Sequence, residues 1–344
     1  MSRTGSVPAS PPGRGRRVLI LALYGIVAAL AVLVAPRLGR VEIAGGADPD
    51  LLALIHDMRC SRAALAAVAG AGLALAGVLL QSLLRNSLAT PFTLGVASGA
   101  SLGAVLALSV AGALRAELPS MAVTGAAMVG ALAALGIVYL VARSQRGGLA
   151  TETLLLAGVA TSYFAAAVIL FLLYSAHPTR TAMMLHWMIG AITDDPVLGW
   201  RRVLATGAFV VAGLVLALVL ARDLNVLVFG DEVAAGRGLE VTRIRVVVYL
   251  TAGLVTAAVV AATGPIGFVG LIIPHLCRIL TGPDHSVLVP AAVLTGAAFL
   301  PLCDALARSV LYPAQLPVGI LTAAVGGPVF ILLLVTRRRG AKAG

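Results

Sequence analysis

Lys342, close to the C-terminal end, is the only lysine in this chain. That single count removes a phosphate-binding loop of the GxxxxGK[ST] kind, which needs a lysine behind its glycines to reach the nucleotide phosphates. The other groups able to do chemistry are as sparse. The five histidines, His56, His177, His186, His275 and His285, make neither an HxxxH nor an HExxH pair on a helix face. Cys60, Cys277 and Cys303 show no CxxC or pairing pattern and read as packing residues. No cofactor, no metal site and no catalytic group are expected within this chain.

The elements that must carry these few groups are written in the charge pattern. Charged residues make up 11% of 344 positions and sit in short islands, while 60% of the chain is hydrophobic. A charge at the centre of a spanning helix costs roughly 2.5 to 3.5 kcal/mol, so charges gather where water begins. Runs such as Val203 to Ala221 are apolar on every side, which excludes the alternating strands of an outer-membrane barrel. The expected fold is all-α, a polytopic membrane protein of about ten transmembrane helices, some short or broken. Cutting at the islands places spans at 18–35, 60–83, 93–110, 120–142, 153–174, 187–221, 244–263, 267–280, 287–306 and 317–335. The first part of 187–221 reads as an outer re-entrant or half helix, and 267–280 as broken or strongly tilted.

Residues 1–17 are polar, proline-rich and basic, and read as a disordered cytoplasmic tail. They also resemble a signal-peptide n-region, but the apolar run behind them is longer than the usual h-region, which favours an uncleaved first span. Residues 18–336 then form one transmembrane domain, followed by a second basic cytoplasmic tail, 337–344. With both termini inside, most of the 25 basic residues fall in inner islands, as the positive-inside rule asks. The net charge of +11 is therefore topological, and no nucleic-acid partner is implied. The location expected is the bacterial plasma membrane, in contact with lipid.

The segment Gly264 to Asp284, GPIGFVGLIIPHLCRILTGPD, carries Gly264, Gly267 and Gly270 at three-residue spacing, a pattern for close backbone approach on one helix face. Pro274 breaks a hydrogen bond in the helix that follows, beside His275. This run resembles the hallmark of the FecCD-type permeases, the membrane subunits of ABC importers for iron-siderophores, haem and cobalamin. Further stretches are similar in the same order: Arg59 to Leu94, Leu185 to Ile192, Gly230 to Val241, Asp304 to Arg308 and Leu316 to Phe330.

The resemblance implies roles for particular residues. Arg59, Arg62 and Arg308 would receive acidic residues of an extracytoplasmic substrate-binding protein. The alternatives on the residues alone are interface snorkelling and, for Arg308, an i,i+4 pair with Asp304. Asn86 and Leu88 in the inner loop RNSLATP would form a cytoplasmic gate, against the plain reading of a connecting turn. Ser87 stands where the family usually has proline, which loosens the loop. Gly230, Asp231, Glu232, Ala234, Gly238 and Leu239 would belong to a helix that couples to the ATPase, the plain alternative being a solvated loop. Arg237 replaces an apolar family residue there, and either alters the fit to the ATPase or snorkels.

Met183, Met184, His186 and Trp187 offer soft and aromatic surface and would line a substrate vestibule, or else form an interfacial belt. The implied partners are two copies of an ATP-binding subunit, a second permease copy or homologue, and the binding protein. The implied cargo is an iron-siderophore, or haem or cobalamin. The rival readings are a permease for bare zinc or manganese ions and a secondary transporter. The first is opposed by the sparse histidines, the second by spans without mid-membrane charges.

Overall fold

The computed structural model describes residues 14–38, 48–116, 118–144, 150–311 and 314–342. Most of the expected N-terminal tail, with Arg3, and Arg146 of an inner island lie outside these residues. Among the described residues there is no strand. Thirteen α-helices run α1 (Arg14–Val34), α2 (Pro49–Leu83), α3 (Val96–Ala113), α4 (Ser120–Ser144), α5 (Thr151–Ser175), α6 (Pro178–Ile189), α7 (Gly199–Val219), α8 (Ala221–Leu227), α9 (Asp231–Gly236), α10 (Val241–Thr263), α11 (Val269–Thr281), α12 (His285–Val310) and α13 (Val318–Lys342). Eight are long and apolar enough to cross a bilayer, and two shorter apolar helices, Val269–Thr281 and Val318–Leu332, add to them. This is the all-α membrane architecture that the charge pattern predicts.

Helix α2 is the centre of the bundle and departs most from its predicted bounds. It begins eleven residues before the expected span, at Pro49, because Asp48 caps it by accepting from Asp50 N at 3.1 Å and Pro49 sits at the first helical position. At 1.5 Å per residue its 35 residues reach about 52 Å. The helix thus outruns the roughly 30 Å of hydrocarbon, and its polar first turns stand beyond the apolar layer. From Ser61 onward it is almost wholly enclosed by α12, α10, α7 and α11.

Small residues let the helices approach this closely. A Cβ on Gly70 would lie 2.1 Å from the carbonyl oxygen of Gly296 in α12, and one on Gly77 would lie 2.0 Å from that of Gly270 in α11. Helices α3 and α4 meet in the same way through Gly99, Gly103 and Gly130, and α5 packs across both. Outward-facing side chains such as Leu156, Phe164, Phe171 and Leu204 are exposed, as expected where the solvent is lipid.

Two predicted details are corrected. The first part of 187–221 is a separate short helix, as expected, but its bounds differ: Pro178 starts α6 nine residues earlier, Gly190 ends it at φ +77°, and α7 begins only at Gly199. The three glycines of GPIGFVG do not share one helix face. Gly264 ends α10 at φ +68°, Gly267 lies in the non-helical link and faces open space, and Gly270 alone sits in a helix, against Leu73 O. Helix α11 is then only 13 residues, short for a crossing, with Pro274 inside it.

Non-helical backbone at this depth survives only when protein covers it. Here the ends of α6 and α10 and the start of α13 cover one another: Ala191 N donates to Thr263 O at 2.9 Å and Gly319 N to Gly190 O at 3.1 Å.

Candidate functional site

The chain places its polar groups at the two ends of the bundle. At one end, where α2 and α7 begin and α12 finishes, Arg62 is buried and forked onto Asp304, with Nε 2.9 Å from Oδ2 and one Nη 2.9 Å from Oδ1. Its other Nη donates to Asp194 at 2.9 Å and to Gln315 at 2.8 Å. Asp304 is also shared with Arg308, whose Nε lies 3.2 Å from Oδ2 without hydrogen-bond alignment. Arg308 donates to Ala35 O at 3.0 Å and the half-buried Arg59 to Pro36 O at 3.3 Å, so both pin the turn Ala35–Arg37 that follows α1.

The three arginines expected at a docking surface therefore differ. Arg62 and Arg308 are internal, the latter in the i,i+4 geometry with Asp304, and Arg59 is the outermost. Asp194 and Gln315, which complete the Arg62 shell, were invisible in the sequence, because they stand in the loops before α7 and α13 with no periodicity to place them.

Beside this cluster opens a cavity of about 550 Å³ between α3, α4, α6, α7 and the end of α10. Its walls include Leu108, Val123, Met183, His186, Trp187 and Arg202. Three of the four expected vestibule residues are thus present. Met184 is not among them, being buried against Val105 and Ile169 on the other side of α6. The exposed His186 also lines a smaller, polar cavity of about 230 Å³ shared with Arg62, Asp194 and Gln315. Arg202 is held by Asp195 at 3.3 Å and by Thr193 at 3.2 Å.

At the other end, α8 and α9 form a helix pair laid beside the ends of α2 and α10. Gly230, at φ +125°, precedes α9, whose first turn holds Asp231 and Glu232. The close of α9 is a Schellman motif: Gly238, at φ +80°, donates to Ala235 O at 2.8 Å and Leu239 N to Ala234 O at 3.1 Å. Ala234 is buried, Arg237 is exposed, and Phe229 and Val233 present apolar surface among the charges.

Asp231 is gripped by Arg85 and by Arg245, the latter at 2.9 Å. Arg85 opens the loop that holds Asn86 and Leu88. There Asn86 Oδ1 accepts from Leu88 N at 2.9 Å, an Asx-turn that leaves the Leu88 side chain exposed. Gln81 anchors the loop to α11 through Gly270 O and Leu271 O at 3.4 and 3.3 Å.

Behind this face is a buried relay. His285 Nδ1 lies 2.6 Å from Asn225 Oδ1, and its Nε2 lies 2.6 Å from Ser82 Oγ. An amide oxygen only accepts, so Nδ1 carries the proton toward Asn225. Asn225 in turn donates to Asp284 at 2.9 Å, and Asp284 meets Arg17 at 3.2 Å. Burial opposes ionisation of Asp284, but the hydrogen bonds from Asn225 and Ser286, with Arg17, hold its carboxyl below the usual range. Among the described residues no group of three or more His, Cys, Asp and Glu is placed to hold a metal ion.

Comparison with known proteins agrees with this architecture. The family description "FecCD transport family" matches residues 18–336. The chain is 42% identical over 288 residues to the cobalamin import system permease protein BtuC of Halobacterium salinarum, covering 83% of this chain and 74% of that protein. It is 38% identical over 285 residues to the Fe(3+) dicitrate transport system permease protein FecD of Escherichia coli, covering 83% and 86%. A solved structure described as an inward-facing conformation of a metal-chelate type ABC transporter superposes with a TM-score of 0.81 at 28% identity, covering 93% of this chain and 99% of that one.

Proposed function

The chain belongs to the FecCD transport family and is a multi-pass permease subunit of an ABC importer of the metal-chelate type, and from that premise we propose that its cargo is an iron-siderophore complex, or otherwise haem or cobalamin. ATP hydrolysis belongs to a separate ATPase partner, and a substrate-binding protein delivers the cargo. In this reading two ATPase subunits sit beneath, a second permease copy or homologue completes the pathway, and both termini are cytoplasmic.

The observation that carries the cargo assignment is the cavity of about 550 Å³ beside Arg62. Met183, Trp187, Leu108 and Val123 give it broad, soft apolar walls, and His186, Thr193 and Arg202 give it a polar edge. Such a surface suits a bulky, partly apolar chelate whose hydrogen-bonding groups are confined to its rim. The end that holds Asp304 then faces outward, with Arg59 the outermost of the three docking candidates and Arg62 and Arg308 holding the docking platform in shape. The end that holds Asp231 faces the cytoplasm, where α9 meets the ATPase and Asn86 and Leu88 narrow the pathway. ATP binding draws the ATPases together, α9 moves, and access alternates between the two sides.

The test is uptake into proteoliposomes carrying the tagged chain purified with its native partners. The expected result is ATP-dependent accumulation of a radiolabelled ferric siderophore, haem or cobalamin once the binding protein is supplied. Accumulation of free zinc or manganese ions in preference to every chelate would overturn the cargo assignment, and uptake that persists without ATP would overturn the drive.

A further inference from the structure

We propose that Arg85 is a positioning residue that joins α9 to the loop holding Asn86 and Leu88, through its ion pair with Asp231. The proposal rests on the reading of α9 as the ATPase-contacting helix and of Asn86 and Leu88 as the gate, and goes beyond it by naming the part that transmits motion between them.

Arg85 touches both short helices at once. One Nη is paired with Asp231, the first residue of α9, and its Nε donates at 3.1 Å to Leu227 O, the last residue of α8. Its own backbone is the junction between α2 and the gate loop, directly before Asn86. Helix α9 has α8 and α10 as its main packing neighbours, so the Arg85 side chain supplies its tie to the gate loop. A fork with two donors on two different acceptors fixes orientation as well as distance, which a single contact does not.

Two further features set the geometry from which the link acts. Arg85 adopts φ +46°, a left-handed backbone that a side-chain-bearing residue rarely occupies unless its surroundings impose it. The shape is the Schellman close of α2, with Arg85 N on Ser82 O at 3.4 Å and Asn86 N on Gln81 O at 3.2 Å, and it fixes where the Arg85 side chain leaves the helix. The charge arrangement is also asymmetric, because one carboxylate separates two guanidinium groups, Arg85 and Arg245. Without Asp231 the two cations face each other across the α2–α10 boundary and push the loop away from α10. Asp231 therefore sets the sign of the interaction between α9 and the gate: with it the loop follows the helix.

The test uses the full complex of permease, ATPase and binding protein in lipid, with the native cysteines replaced. Leu88→Cys reports gate accessibility through thiol labelling with and without ATP, and Ala235→Cys reports α9 by cross-linking to the ATPase. In the otherwise native chain both signals are expected. Absence of either overturns the gate or the coupling-helix reading, and this proposal with it.

Added Arg85→Ala is expected to keep the cross-link and to shrink the ATP-dependent change in Leu88→Cys labelling by at least about fivefold, the lower end of ordinary coupling between sites. The double variant with Asp231→Asn is expected to stay within about twofold of Arg85→Ala alone, because the two changes remove one interaction. Arg85→Lys keeps the charge but loses the planar fork that reaches two separate acceptors, and is expected to give an intermediate response. It also serves as the test should Arg85→Ala fail to assemble. A full ATP-dependent labelling change in either Arg85 variant, with the cross-link intact, overturns the proposal.

Discussion

Arg62 and Asp304, 242 residues apart in sequence, face each other as a bidentate pair with both contacts at 2.9 Å, sealed between α2 and α12. Such a pair is costly to create and more costly to halve. Removing one partner of a buried ion pair typically destabilises by about 3–5 kcal/mol, because the other charge is left without compensation. Asp304→Ala is therefore expected to lower the thermal midpoint of the purified protein sharply. Asp194→Asn, at a carboxylate still 30% exposed, should lower it far less. Arg62→Met with Asp304→Leu should recover only part of the loss, because Arg308 still lacks its carboxylate, and the three midpoints, measured in one detergent, check the ordering.

The glycine contacts yield a second ordering. An added Cβ at Gly296 would stand 2.3 Å from Gly70 O and 2.8 Å from the Ala74 side chain, so α12 must move off α2. Overpacking of this kind costs about 1–3 kcal/mol. Gly296→Ala should reduce the yield of monodisperse protein and its thermal midpoint. Gly267→Ala, where the Cβ meets open space, should leave both unchanged although the two residues look alike in the sequence.

That contrast shows what the sequence could say. The apolar runs between charge islands located every long helix, because the cost of burying charge in lipid acts on each segment separately. Ends written in local chemistry, such as Asp48-Pro49 before α2 and Pro178 before α6, were legible in principle and were outweighed by hydropathy. Which residues meet was another matter. The i,i+4 pair of Asp304 and Arg308 was visible, but Arg62 as the chief partner of Asp304 was not, since no periodicity links helices so distant in the chain. Likewise the loop motif around Asn86 was legible, and the grip of Arg85 on Asp231 was not.

The Asp284 carboxyl gives a pH dependence of known sign. Its folded value lies below the ordinary 3.8, so the stability it contributes is present above that ordinary value and is lost as pH falls through the depressed one. Wild-type protein should exceed Asp284→Asn in thermal midpoint near neutral pH, and the difference should close only below about pH 4. A difference that closes near pH 6 would assign the effect to another group. Arg17→Gln, which removes the ion partner while leaving the Asn225 and Ser286 hydrogen bonds, should reproduce part of the loss.

Docking of a binding protein at the end that holds Asp304 would separate Arg59 from Arg62 and Arg308. Arg59 is only half-buried and donates to the Pro36 carbonyl at 3.3 Å, so it is the one of the three within reach of a docking surface. Arg62 and Arg308 are more than nine-tenths buried and already share Asp304. Charge reversal at Arg59 should leave folding intact, weaken docking by about tenfold, equivalent to 1.4 kcal/mol, and flatten its salt dependence, as expected for a charge at an interface rim. Reversal at Arg62 or Arg308 should instead deplete the folded protein before docking can be measured, because it sets a glutamate against the buried Asp304. The measurement is binding of the purified binding protein to the permease complex in nanodiscs at two ionic strengths. Unchanged affinity and salt slope for Arg59→Glu would remove Arg59 from the docking surface, and well-folded Arg62→Glu with weakened docking would move the charge that matters inward to Arg62.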